Sequence, residues 1–306
     1  MGTLFYLEDF CPVFAYSTAT RGAGYKGKLG VAMTLPQPII SRTNARVKAL
    51  RAALSGKPSQ PGELLGIEGE NLIVEAIRSN TRFDTVYIRE GSENVLERPS
   101  LKELQSNHWA VLSRDVFESA VDTASPQGIA AIFNIPQLTH KDAPPGPGVV
   151  LVLEDIQDPG NFGTLIRSAE AFQINTVYVT SSTVNQWNPK AVRASAGSVF
   201  RIPVVRGTLQ QIKEWLTSDG MRLHAAVAHA EDAISVMQTS LLAPCAIMIG
   251  NEGAGLSATA LKLADAQVHI PCFVESLNAA IAGSTLMYES FRQNLQRTSQ
   301  VAKGQQ

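Results

Sequence analysis

Apolar and polar positions fall into a regular order only from Ser41 onward. Over Ser41–Leu54 the apolar residues Val47, Leu50 and Leu54 share one helical stripe, and Gly56 supplies a stop. The pattern then predicts strand Glu63–Gly69, helix Glu70–Ser79, strand Asp84–Ile88, helix Leu101–Ser106, strand Trp109–Leu112, helix Asp115–Ala120 and strand Gly128–Ile135. Strands alternating with short helices predict a small α/β domain over residues 41–135. Residues 1–40 show no period. They are expected to form a loosely ordered extension, with residues 1–32 dispensable and Met33 as the natural start.

Residues 136–148 carry Pro136, Pro144, Pro145, Pro147, Gly146 and Gly148. Proline fixes φ and removes a donor, so a stiff linker is expected here. Beyond it the alternation is stronger. Gly148–Glu154 is a near-continuous apolar run, as in a buried parallel strand. Asn161–Gln173 follows as a helix with Phe162, Leu165, Ile166, Ala169 and Phe172 on one face. Further strands are predicted at Thr176–Thr180, Arg201–Val205, Leu223–Val227, Ala246–Gly250 and Gln267–Pro271, and helices at Leu209–Thr217, Ser257–Ala264 and Ser276–Leu295. A second α/β domain is thus expected over 149–295, with a tail at 296–306.

Charge narrows the partners. Lys+Arg total 26 and Asp+Glu 27, so the chain has no overall positive field, and nucleic-acid binding needs a local patch. One such island exists: Ser41–Gly62 holds Arg42, Arg46, Lys48, Arg51 and Lys57 and no acid. A solvated helix face explains it equally well. The three cysteines, Cys11, Cys245 and Cys272, are far apart, and the five histidines lack HExxH spacing. Neither a disulfide framework nor a metal site is expected. No stretch is apolar enough to span a bilayer, and Glu8 and Asp9 stand where a signal peptide needs basic residues. The expectation is a soluble, cytoplasmic protein without a membrane partner.

Three segments carry chemistry. In DIQDPGNFGTLIR (Asp155–Arg167) a strand ends, a Pro-Gly turn follows, and a helix opens at Asn161, where free N–H groups attract anions. In IGNEGAGL (Ile249–Leu256) glycines around Asn251 and Glu252 admit close ligand approach. It is not the GxGxxG turn, nor a phosphate-binding loop ending in GKS or GKT. In IPCFVESLNAAIAGSTLMYE (Ile270–Glu289) Ser276 and Asn278 precede small residues that allow close packing. Each segment alone is equally compatible with capping and packing.

Together they resemble the SPOUT superfamily, specifically its SpoU/TrmH-like RNA 2′-O-ribose methyltransferases. DPGNFGTLIRSAEAF, IMIGNEGAGLS and the Ile270–Glu289 segment match the three motifs in order, and NPKAVRASAGSVFRIPV (Asn188–Val204) is typical of the family. NARVKAL, LLGIEGENLIVEAI and SPQGIAAIF resemble its N-terminal RNA-binding domain, an α/β fold similar to ribosomal-protein folds. The loop Cys272–Glu275 is shorter than in many members.

The resemblance implies a trefoil-knotted C-terminal domain binding S-adenosylmethionine through backbone near Gly250, Ile270 and Leu277. It implies a catalytic cluster of Arg167, Asn161, Glu252, Ser276 and Asn278, with Asn161 and Glu252 holding Arg167. It also implies a homodimer that completes the site. The substrate is then structured RNA, tRNA or rRNA rather than DNA, gripped by Arg42, Arg46, Lys48 and Arg51. Two other readings stay open: a catalytically inactive RNA-binding protein of this fold, and a nucleotide-dependent oxidoreductase. The intact polar set argues against the first, and the missing GxGxxG turn against the second.

Overall fold

The computed structural model describes residues 35–304, except positions 57, 59, 61, 122, 124, 137, 144–147, 229 and 231. The expected dispensable segment 1–32, Lys57 and the proline run 144–147 lie outside the described residues.

The first helix begins where a side chain can satisfy its free amides. Asn44 Oδ1 accepts from the Arg46 amide at 2.9 Å, so α1 runs Ala45–Ser55 rather than from Ser41. It buries Val47, Leu50 and Ala53. The chain continues through β1 (Leu64–Glu68), α2 (Glu70–Arg78), β2 (Phe83–Arg89), β3 (Ser106–Leu112), α3 (Arg114–Ala120) and β4 (Ile129–Asn134). These strands form one sheet in the order β1-β4-β2-β3, in which only β2 and β3 run parallel.

The helix expected at Leu101–Ser106 does not form. Pro99 confines this stretch to a 3-10 turn, Pro99–Leu101, and Ser106 already belongs to β3. Ile39, expected in the loose extension, is anchored: its amide donates to Val111 O at 2.8 Å and its carbonyl accepts from Ser113 at 3.1 Å.

The second half carries β5 (Val149–Leu153), α4 (Pro159–Ala171), β6 (Thr176–Val179), α5 (Pro189–Ala194), β7 (Val204–Arg206) and α6 (Leu209–Ser218). It continues with β8 (Arg222–Ala226), β9 (Ile234–Ser235), β10 (Cys245–Ile249), α7 (Ala258–Leu263), β11 (Ala266–His269) and α8 (Ala279–Gly304). Its sheet has the order β7-β6-β5-β10-β8-β11-β9, with every pair parallel. Both β5 and β10 are wholly buried, as their apolar runs predict. They are neighbours in register, Leu153 opposite Ile249, so the first two motif segments leave the sheet side by side at its carboxyl edge.

Three further boundaries differ from the sequence pattern. α5 was missed, although Asn188 followed by Pro189 is a helix-start pair and Asn188 Oδ1 accepts from the Lys190 amide at 2.9 Å. β7 begins at Val204 rather than Arg201, because Ala196 (φ 48°) and Gly197 (φ 88°) turn the chain into a 3-10 segment, Ser198–Phe200. α8 runs to Gly304 rather than Leu295. Arg297 Nη1 donates to the Ala243 carbonyl at 3.1 Å, docking the first of the extra turns. No helix among the described residues is long and apolar enough to cross a membrane.

His224 lies in the middle of the sheet on β8, and its buried Nδ1 has no hydrogen-bond partner among the described residues. Burial, aided by the charge of Arg222 and opposed by Asp265, pushes its imidazole below the ordinary 6.5. The unfolded chain therefore takes up a proton near pH 6.5 that the folded chain still refuses. This contribution to stability is complete above pH 6.5 and is lost as pH falls towards the folded value, at no more than about 1.4 kcal/mol per pH unit. Melting temperatures measured from pH 7.5 to 5 should fall less steeply in His224→Asn than in the parent. Parallel curves would show that another group carries the pH dependence.

Candidate active site

The site grows from two strand ends. Glu154, directly after β5, is buried and accepts from both the amide (2.9 Å) and the hydroxyl (2.6 Å) of Ser257, the cap of α7. Asp155 has left-handed backbone (φ 55°), and its carbonyl accepts from Asn251 Nδ2 at 2.9 Å. Asn251 Oδ1 accepts from the amides of Gly253 and Ala254, each at 2.9 Å, which curls the Ile249–Leu256 turn. A Cβ on Gly250 would lie 2.5 Å from the Gly255 carbonyl oxygen, so the turn requires glycine there.

Glu252 then ties the segments together. Its Oε1 accepts from Asn161 Nδ2 (3.0 Å) and the Asp158 amide (3.2 Å), and its Oε2 from the Gln157 amide (3.3 Å). Asp158 Oδ1 caps α4 by accepting from the Asn161 amide at 2.7 Å. Asn161 Oδ1 accepts from Asn278 Nδ2 at 3.1 Å, and Asn278 Oδ1 caps α8 by accepting from the Ala280 amide at 2.9 Å. One relay of amide and carboxylate groups thus joins the first, second and third motif segments. Partial burial pushes the Glu252 carboxyl up, but the bonds from Asn161 and the backbone amides outweigh it and hold the group below the usual carboxylate range.

The expected residues divide. Asn161, Glu252 and Asn278 meet. Ser276 lies beside them, lining a cleft with Gly250, Ile270 and Leu277. Arg167 does not join: Asn161 and Glu252 bond to each other rather than to it. At about 100° per residue, Arg167 lies about 120° around α4 from Asn161. It is exposed and has no hydrogen bond or ion pair among the described residues. Arg46, Lys48 and Arg51 are exposed on α1, away from its buried stripe, and Arg42, expected on the same helix, is exposed in the turn before its cap Asn44. Arg46 and Arg51 donate to the carbonyls of Trp109 and Ser119, and none of the four pairs with an acid among the described residues. The sequence reading missed Glu154, Asp158 and Asn251. Glu154 could have been suspected as the lone charge closing an apolar run.

The cleft has a volume of about 360 Å³, within the usual range for a small-molecule site. Its walls mix the glycine turn, apolar side chains and the carboxylates of Glu252 and Glu275. Space is open where side chains at Gly253 and Gly255 are absent, and backbone groups there can meet a ligand closely. Such a pocket suits a flat, polar-edged ligand carrying positive charge. No cluster of metal-ligating side chains occurs among the described residues.

Comparison with known proteins agrees in sequence and in fold. Residues 148–288 match the model of the SpoU rRNA Methylase family, and residues 67–139 match that for RNA 2′-O ribose methyltransferase substrate binding. The chain is 31% identical over 253 residues to the 23S rRNA guanosine 2′-O-methyltransferase RlmP of Bacillus subtilis, covering 82% of this chain and 97% of that one. It is 34% identical to an uncharacterized tRNA/rRNA methyltransferase of Synechocystis, covering 83% and 93%. A crystal structure of an RNA 2′-O ribose methyltransferase superposes with a TM-score of 0.69 at 28% identity, over 84% of this chain and 99% of that one. The fold also matches an AdoMet-bound rRNA methyltransferase from Sinorhizobium meliloti, with a TM-score of 0.71 at 24% identity over 84% and 97%.

If Glu252 holds the Asp155–Asn161 turn, Glu252→Ala should expose the amides of Gln157 and Asp158. Their hydrogen exchange should accelerate by roughly one to two orders of magnitude, the scale of losing bonds to a charged acceptor. In the parent the same protection should be present at neutral pH and lost as pH falls below 4.5 through the lowered value of Glu252. Equal exchange in both proteins would remove Glu252 from this role.

Proposed function

The chain belongs to the SpoU rRNA methylase family, and on that premise we propose that it transfers a methyl group from S-adenosylmethionine to a ribose 2′-hydroxyl of structured RNA. The observation that carries this reading is the Glu252–Asn161–Asn278 relay closing over a cofactor-sized cleft. The relative that acts on a 23S rRNA guanosine makes large-subunit rRNA the first substrate to test.

When bound, the cofactor supplies an activated methyl group, so the protein's task is alignment and activation of the hydroxyl. In this reading Gly250, Ile270 and Leu277 hold the cofactor along the cleft wall. The relay fixes the turn that faces it, and Ser276 and Asn278 shape the space where the ribose enters. Arg167, planar and permanently charged, orients the hydroxyl and the adjacent phosphate. The exposed cations of α1 contact the RNA backbone, each worth about one unit of salt slope. The trefoil knot belongs to the same reading, supported by the close self-approach of the Ile249–Leu256 turn and the packing of α8 on α4.

Arg167 is exposed and makes no bond to the relay among the described residues, which favours a site completed by a second copy. A surface for that copy exists on α8: Ile281 (57% exposed), Tyr288 (52%) and Leu295 (48%) recur every seven residues along one face. The face adjoins α4, where Ser168 meets Ser284 and Phe172 packs edge-on against Tyr288.

Arg167→Ala should bind S-adenosylmethionine as the parent does and transfer methyl to rRNA roughly 10²–10⁴-fold more slowly. Transfer at close to the parent rate would make Arg167 a structural residue. The dimer has its own test. Arg167→Ala and Asn161→Ala chains, each inactive alone, should regain activity when unfolded together and refolded as a mixture. Absence of recovery, with sedimentation showing a monomer, would contradict a shared site.

A further inference from the structure

The two domains are clasped by one arginine. Arg201 Nη1 donates to Glu75 on α2 at 2.5 Å, while Nη2 donates to Glu170 on α4 at 2.9 Å and Nε bonds the other Glu170 oxygen. The planar guanidinium thus takes Glu170 through two parallel bonds and reaches across the domain boundary with a third. Glu75 is also bonded by Arg78 at 2.8 Å on its other oxygen. The turn at Ala196 and Gly197 exists to make this approach. A Cβ on Gly197 would lie 2.4 Å from Glu75 Cβ, and the glycine has φ 88°, so a side chain is excluded twice over.

The surroundings are packed. Phe133 on β4 meets Trp187 and Phe200 of the C-terminal domain edge-on, with ring centroids 6.4 and 5.9 Å apart. Asn185 Nδ2 donates to Pro58 O at 2.6 Å. The apolar seam holds the domains together without prescribing their angle. Directional, charge-assisted bonds prescribe it. Glu170 lies one helical turn beyond Arg167 on α4, the helix that also carries Asn161. Burial pushes the Glu170 carboxyl up, but its bonds to Arg201 prevail and hold it low, so the clasp is charged at neutral pH.

We infer that Arg201 is a positioning residue that sets the distance and angle between the RNA-gripping domain and the catalytic helix α4, and thereby which nucleotide reaches the active site. This rests on the reading that the chain methylates RNA. A freely swinging domain presents RNA in the productive orientation only part of the time, and apparent affinity falls in proportion to that fraction. The three side chains keep 21–33% of their surface exposed, so solvent screens the ion triad and its effect should show in substrate presentation more than in melting.

The test uses the full chain. Glu75→Ala cuts only the arm that crosses the boundary, and Arg201→Lys keeps the charge but lacks the planar fork that grips Glu170 through two parallel bonds while a third reaches Glu75. Two readouts are taken: steady-state methylation of rRNA, and small-angle scattering of the protein without RNA. Both variants should raise the KM for RNA about tenfold, with kcat and S-adenosylmethionine affinity within about twofold of the parent. Both should also broaden the interdomain distance distribution. An unchanged RNA KM overturns the proposal, as does a fall in kcat at unchanged KM, which would make the triad a local support of α4. If the parent itself transfers no methyl group to RNA, the functional reading fails, and the scattering arm still decides the clasp: unaltered profiles in both variants overturn it.

Discussion

A single carboxylate, Glu252, stands where β5 and β10 release the chain, and the rest of the site is built around it. Parallel strands side by side bring two loops together but do not align them. Glu252 does so by accepting from Asn161 and from the amides of Gln157 and Asp158. Asn161 is then free to take the third segment through Asn278, which in turn starts α8. An acid in a glycine-rich turn repels a phosphate but suits a turn that collects amide donors.

What was legible in the sequence follows physical rules. The apolar runs of β5 and β10 are buried on both faces, and such runs have no other stable place. α4 announced itself through Phe162, Leu165, Ile166 and Ala169, all buried. The helix expected at Leu101–Ser106 failed because Pro99 and a nearby strand partner for Ser106 outweighed a weak period. α5 was missed because a single short turn has too few residues to display a period, although its Asn-Pro start was visible.

Part of the candidate site was legible as a set of residues, and its geometry was not. Asn161, Glu252 and Asn278 are joined, but the partner of Arg167 cannot be read from spacing, since direction around α4 separates it from the others. Arg201 illustrates the same limit. Its partners, Glu75 and Glu170, lie 126 and 31 residues away, and no local pattern links them. Long-range polar contacts of this kind form only once the two domains dock against the aromatic seam of Phe133, Trp187 and Phe200. Docking therefore joins the two halves of the proposed function, RNA recognition on the basic helix α1 and methyl transfer at the carboxyl edge of the second sheet.

The central claim, methyl transfer to a ribose hydroxyl of RNA, is tested most directly by mapping 2′-O-methylated nucleotides in cells with and without this chain. The account predicts that a defined rRNA position loses its 2′-O-methyl group on deletion and regains it with the parent chain. A ribose-methylation map identical in both strains would contradict it, as would the loss of a methyl group from a base instead of a ribose.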